Sequence, residues 1–215
     1  MYEILETNSL SKFAEQTCKI IYEKISKSKI NEFNLLLSGG NTPLHIFSKL
    51  VEDYKDNIPW QKINIYWVDE RYVDVQSPFS NYYNFYKIFT NEIHKLKSIN
   101  RIETEFKIET ATKRYFKTIN TFISNGSTFD LSILGMGVDG HVASIFETDF
   151  LKPYVYMTRE YNGFKRITVS TEILNLCKYN LLIINDVEKL NLLKSKRETP
   201  IHFVKIDKII FNNAL

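Results

Sequence analysis

Cysteine is almost missing from this chain of 215 residues: Cys18 and Cys177 stand alone, with no Cys-x-x-Cys pair. That argues against a disulfide framework and against a structural zinc site. Long apolar runs are missing too, none approaching the roughly 20 residues of a membrane span. Where a signal peptide would carry its basic and apolar regions, the chain has Glu3 and Glu6. No charge of one sign prevails either. Lys and Arg number 28 against 25 Asp and Glu, a net charge of +3, and they are scattered rather than gathered in a stripe, which argues against nucleic acid. What is left, 44% hydrophobic and 25% charged, is the balance of an ordinary globular protein with a real core. The expectation is one domain over residues 1–215, cytoplasmic and monomeric, with neither membrane nor nucleic acid as partner.

Hydrophobic spacing then divides the chain. Leu10, Phe13, Ala14, Thr17, Ile21 and Ile25 recur at helical intervals, so Ser9 to about Lys27 is expected to be an amphipathic helix, with Cys18 packed beside the stripe. Phe33–Leu37 reads as a strand running into Ser38-Gly39-Gly40-Asn41-Thr42-Pro43. Thr42 is the expected N-cap, with Pro43 at the first helical position of a helix reaching about Tyr54. Ile63–Val68 is a second strand, followed by Asp69-Glu70-Arg71, and Ser80-Asn81 precedes an aromatic-rich helix from Tyr82 to about Phe89. Residues 91–108 read as a surface loop, and a helix follows from about Glu109 to Ile123. Phe129–Leu134 is an apolar strand feeding a glycine turn, after which the small apolar residues look like the first turns of a helix. Val155–Met157, Ile167–Val169, Leu181–Ile184 and Ile209–Phe211 are further strands, and Glu188 to Lys194 a helix. Strands alternating with helices argue for an α/β fold with a mostly parallel sheet flanked by helices. There is no internal repeat and no linker long enough to split the chain.

In such a sheet, ligands bind beyond the carboxyl ends of the strands. Three strand ends carry unusual residues: Ser38–Thr42, Asp69–Arg71 and Gly135–His141. The first has two glycines, hydroxyls and a following helix whose free N–H groups point at the loop, which suits an anion. A tight strand-to-helix turn is the plain alternative. It is not a P-loop, because no Gly-Lys-Ser/Thr follows. Asp69-Glu70-Arg71 reads either as a solvated turn or, at the ligand edge, as a place where Arg71 meets an anion.

The third stretch, Gly135-Met136-Gly137-Val138-Asp139-Gly140, formally matches the dinucleotide fingerprint, and Glu160 lies near the spacing of a ribose-binding acid. We read it as a decoy, because the third glycine is followed at once by His141 instead of an apolar helix face. Asp139 and His141 are close enough for the carboxylate to orient the imidazole, and an imidazole, with an ordinary pKa of about 6.5, is suited to take a proton from water. A turn histidine tied to the backbone is the alternative. His45, His94 and His202 are read as structural.

Taken in order, SGGNTP, DER, the SN pair, GMGVDGHVAS and KRIT resemble the 6-phosphogluconolactonases, from about Leu35 to Lys189. The resemblance implies a Rossmann-like α/β fold of the type shared with glucosamine-6-phosphate deaminase, ribose-5-phosphate isomerase and CoA transferase. It also implies hydrolysis of a phosphorylated sugar lactone without metal or cofactor, as the second step of the oxidative pentose phosphate pathway. Carried over by position, His141 is the general base, Asp139 orients it, and Arg71 lies near the lactone. Ser38, Gly39, Gly40, Asn41 and Thr42 fall on the phosphate loop, Asp69 is among the substrate-binding residues, and Arg166 and Lys189 bind phosphate. The chain departs from the family pattern with Asn41 in place of a serine, Glu147 in place of a proline and Asp186 in place of a glycine. It is also short at 91–109 and 147–165, which bears on the pocket walls.

Two rivals are weighed. Glucosamine-6-phosphate deaminases carry a ring-opening Glu where this chain has Phe146, and a tyrosine where it has Arg71. A non-enzymatic sugar-phosphate sensor usually brings a DNA-binding helix-turn-helix, whereas the residues before Leu35 hold one expected helix.

Overall fold

A computed structural model describes residues 2–29, 31–148 and 152–213. Every residue of β2 (Phe33–Leu37), β3 (Ile63–Trp67), β6 (Leu131–Leu134) and β9 (Asn180–Ile184) is buried. Strands buried along their whole length, rather than at alternate positions, need cover on both faces. With β1 (Glu3–Thr7), β5 (Ser98–Asn100) and β10 (Lys208–Asn212) they form a seven-stranded sheet in the order β1-β10-β9-β6-β2-β3-β5. All its pairings are parallel. On one face Leu35, Leu37, Ile65, Trp67 and Ile133 pack against α1 (Leu10–Ser26), α2 (Asn41–Tyr54) and α3 (Asn81–Ile88) through Phe13, Ile21, Ile46 and Phe85. On the other, Leu36, Leu134, Leu182 and Ile184 meet Tyr115 and Ile119 of α4 (Ile108–Ser124), Ile173 of α5 (Thr171–Asn175) and Leu190 of α6 (Val187–Lys194).

The path of the chain places the site. From the edge strand β1 it crosses to β2 in the middle and runs outward through β3 and β5. It then returns to β6, beside β2, and runs out the other way through β9 and β10. The direction of travel reverses between β2 and β6, and the crevice beyond their carboxyl ends is where an open α/β sheet takes its ligand.

A second, three-stranded antiparallel sheet walls that crevice: β4 (Asp69–Arg71), β8 (Arg166–Val169) and β7 (Val155–Met157). Its register sets Arg71 directly opposite Arg166. The β7–β8 hairpin turns at Asn162-Gly163, with φ of +51° and +78°, the left-handed pair that a two-residue hairpin turn of matching twist requires. Tyr161 and Phe164 close the turn with reciprocal backbone hydrogen bonds of 3.0 and 3.2 Å.

Several expectations are corrected. No helix follows His141: Val142 instead bridges to Met136 and to Ile145, and Gly140 and Ala143 take φ of +85° and +53°, outside helical space. Helix α2 is capped by Gly40, whose φ of +96° turns the chain, and not by Thr42. Pro43 sits inside the first turn, where its missing N–H would have had no helical partner anyway. Residues 91–108 are not all loop. Strand β5 lies there, disguised by polar residues that bond across the sheet, with Ser98 Oγ donating to Asn64 Oδ1 at 2.7 Å. Asp69 and Glu70 are buried in β4, so the triplet is no solvated turn. Strand β1 and helix α5 had no expectation at all. Part of the short 147–165 stretch lies outside the described residues. No helix among those described is long and apolar enough to cross a membrane.

Candidate active site

The carboxyl ends of β2, β3, β6 and β9 open into a hollow of about 220 Å³. It is not the largest on the molecule. One of about 560 Å³ lies at the opposite edge, near Lys24, Lys178 and Tyr179. What sets the smaller one apart is its chemistry. Ser38, Gly39, Gly40, Asn41, Thr42, Asp69, Arg71, His141, Arg166 and Lys189 all line it, and Asp139 stands directly behind His141. The structure therefore brings together every residue assigned to the site from the sequence.

One end is cationic and rich in unused donors. Ser38 continues β2, its N–H donating to Ile133 O at 3.0 Å. Gly39 is required by close approach, since a Cβ there would lie 2.0 Å from Asn81 Oδ1. Helix α2 points its first N–H groups into the hollow. Arg71 donates through Nη1 to Phe79 O at 2.9 Å, and Arg166 is buried opposite it. Burial pulls the Arg166 guanidinium below its ordinary value, Asp69 opposing and Arg71 reinforcing that pull; a guanidinium nonetheless keeps its charge. Among the described residues, Ser38 Oγ, Arg71 Nε and Arg166 Nε are buried with no hydrogen-bond partner. Lys189, in the first turns of α6, makes no ion pair among them. Asp186, the departure from the family glycine, caps that helix by accepting from Glu188 N at 2.8 Å.

The DER triplet divides by the two-residue period of a strand. Asp69 and Arg71 face the hollow. Glu70 faces away and is consumed structurally, accepting from the backbone N–H groups of Arg71, Asn81 and Tyr82, each at 2.8 Å, and from Ser80 Oγ at 3.1 Å. Burial pushes its carboxyl up to about 7 against those donors. It ties β4 to the start of α3 and so holds Asn81 at the hollow. Asp69 accepts from Ser144 Oγ at 2.5 Å and from Asn81 Nδ2 at 3.4 Å.

At the other end, the turn after β6 is closed by Gly137 N donating to His141 O at 2.9 Å. A Cβ on Gly137 would fall 2.2 Å from the imidazole, and one on Gly140 2.3 Å from Thr199 Oγ1, so both glycines are forced by packing. His141 Nδ1 lies 2.6 Å from Asp139 Oδ1, which also accepts from the His141 backbone N–H at 3.2 Å. Tyr161 donates its hydroxyl to Asp139 Oδ2 at 2.9 Å. Burial alone would raise the Asp139 carboxyl, but the charge of His141, its backbone N–H and the Tyr161 hydroxyl together hold it below its ordinary value. An ionised Asp139 accepts only, so Nδ1 carries the proton and Nε2 is the basic nitrogen. The ring packs edge-on against Phe146 and Tyr161, at 5.0 and 5.6 Å between centroids.

His202 is structural, its Nδ1 2.9 Å from Thr199 Oγ1 and its Nε2 3.1 Å from Leu193 O. Among the described residues no group of three or more His, Cys, Asp and Glu side chains could hold a metal ion. Sequence reasoning gave no role to Asn81, Ser144 or Tyr161. For Tyr161 the signal was available, since Asn162-Gly163 between strand candidates marks a tight hairpin.

Fold and hollow together define a Rossmann-like α/β protein with a cation-lined crevice and an imidazole–carboxylate pair at the switch point of its sheet. The family model for glucosamine-6-phosphate isomerases/6-phosphogluconolactonase matches residues 7–209, and the chain belongs to that family. It is 35% identical over 201 residues to a 6-phosphogluconolactonase of Thermotoga maritima, covering 90% of this chain and 88% of the relative. Its identity to that of Haemophilus influenzae is 31% over 189 residues, covering 85% and 81%. The crystal structure of a Thermotoga maritima 6-phosphogluconolactonase superposes with a TM-score of 0.85 at 30% identity, covering 98% of each chain.

Proposed function

We propose that this protein hydrolyses 6-phospho-D-glucono-1,5-lactone to 6-phosphogluconate, the second step of the oxidative pentose phosphate pathway. The observation that carries this reading is the shared hollow: an imidazole held at Nδ1 by Asp139, 2.6 Å away, opens on the same space as Arg71, Arg166 and the start of α2. The relatives at 31% and 35% identity bear the same activity in their names.

In this mechanism Nε2 of neutral His141 accepts a proton from water as its oxygen attacks the lactone carbonyl, a role worth about 10²–10⁴ in rate. Arg71 steadies the negative charge that develops on the carbonyl oxygen. The C1–O5 ring bond then breaks, and the proton passes from Nε2 to the departing ring oxygen, leaving a carboxylic acid and a hydroxyl. Ser38 to Thr42, Arg166 and Lys189 hold the phosphate, with Asp69 fixing the arginine side of the pocket. Phosphate is remote from the reacting carbon, so its binding supplies orientation. A δ-lactone is an activated ester, and the reaction as written uses no metal and no covalent nucleophile.

Phe146 favours hydrolysis over deamination. It stands where deaminases carry their ring-opening Glu, and here it stacks on Tyr161 at 4.1 Å, offering no carboxylate. The reading takes the enzyme as a monomer. The two free, buried thiols, Cys18 and Cys177, accord with a cytoplasmic setting. The test is hydrolysis of freshly prepared lactone followed against its spontaneous rate, beside an ammonia assay on glucosamine 6-phosphate. Acceleration of the first with silence in the second is expected, and the reverse pattern overturns the reading.

A further inference from the structure

We propose that Tyr161 is a positioning residue for the Asp139–His141 pair, a role that rests on the reading of His141 as the base. The carboxylate it holds needs a second anchor. Asp139 sits on a glycine turn with its side chain 39% exposed, and rotation about its last bond would exchange the oxygen facing the imidazole. The Tyr161 hydroxyl engages Oδ2 at 2.9 Å while Oδ1 takes Nδ1 at 2.6 Å, so the two bonds assign each oxygen its partner.

The tyrosine is itself pinned. Its ring stacks on Phe146 at 4.1 Å and 17°, and the Arg166 guanidinium lies over both rings, at 5.5 Å from Phe146 and 5.6 Å from Tyr161. The tight turn at Asn162-Gly163 fixes the backbone, and Phe164 on its far side packs against Phe79 at 5.1 Å. The charged groups around the pair are Arg166 on β8, Arg71 and Asp69 on β4 and Lys189 on α6, all lining the hollow. Glu147, next to Phe146, is paired with Arg159 at 3.3 Å. Among the described residues only His141 and Tyr161 bond Asp139.

Removing the hydroxyl leaves more negative charge on the carboxylate and strengthens its bond to Nδ1–H. Tyr161→Phe keeps the ring, so the fold and the stack on Phe146 are retained. The expected result is a kcat about tenfold lower with KM for the lactone little changed, and an acid limb of the kcat/KM profile moved to higher pH. In the ligand-free protein, the proton resonance of His141 Nδ1–H is expected to move downfield. Wild-type kcat, or an unmoved resonance, overturns the proposal. So does loss of activity in Tyr161→Leu alone, which would make the side chain a packing element. Should the wild-type protein hydrolyse no lactone, the functional reading fails by itself, and the resonance still decides what Tyr161 does.

Discussion

The two ends of the hollow are built on opposite principles. At the cationic end, Ser38 Oγ, Arg71 Nε and Arg166 Nε are buried without partners among the described residues, and the register of β4 and β8 sets two like charges face to face. At the imidazole end both oxygens of Asp139 are engaged, and Gly137 and Gly140 are packed so closely that neither tolerates a Cβ. A buried donor without a partner costs roughly 1–3 kcal/mol, so such groups mark where the oxygens of a ligand belong. Saturation at the other end does a different job, which is to hold one nitrogen in one direction. The contrast separates binding from chemistry, and substitutions at the two ends should fail differently.

The largest effect is expected from His141→Ala, which should lower kcat by about 10²–10⁴ while calorimetry still detects 6-phosphogluconate binding; full activity would sink the mechanism. Asp139→Asn comes next, with kcat down about a hundredfold, because an amide can favour the wrong tautomer. The same variant carries a pH signature. Folding holds the Asp139 carboxyl below its ordinary value. Its ionised form therefore stabilises the native state above about pH 4, and that contribution is lost as pH falls through the depressed value. The gap in Tm between wild type and variant should close in acid; a gap that widens there would refute the assignment. Arg166→Ala should break the other end, raising KM roughly tenfold or more with kcat changed far less, as steady-state kinetics would register. Ser38→Ala is expected to be the mildest, raising KM about two- to fivefold while Tm holds or rises, since a buried hydroxyl without a partner is removed. A clear drop in Tm there would mean that the hydroxyl is structural.

How legible all this was depended on whether local pattern or distant packing decided the outcome. Strands β2, β3, β6 and β9, each apolar at all but one position, could be read directly, and so could the helices with a clear stripe. Strand β5 could not, because its stabilising partners are Asn64 and the edge of β3, far away in sequence. The segment after His141 misled for a related reason: Val-Ala-Ser-Ile has helical character, but Gly140 and Ala143 at positive φ fold it back over the imidazole. Glu70 looked like its neighbours Asp69 and Arg71, and only the pairing of β4 shows that it turns the other way. The motif-bearing loops were recognisable because each ends a buried strand. Tyr161 was passed over because its role depends on a hairpin that brings it back to a residue 22 positions earlier.

The adjacency of β2 and β6 has a consequence for how the protein comes into being. The backbone N–H of Asn34 donates to the Asp130 carboxylate at 2.9 Å across a sequence separation of 96. Closing so long a loop is slow compared with forming a helix, and during synthesis the Ser38 loop leaves the ribosome well before the imidazole exists. The anion cradle and the base are thus united only when the centre of the sheet zips shut. In refolding, the first turnover would time that closure.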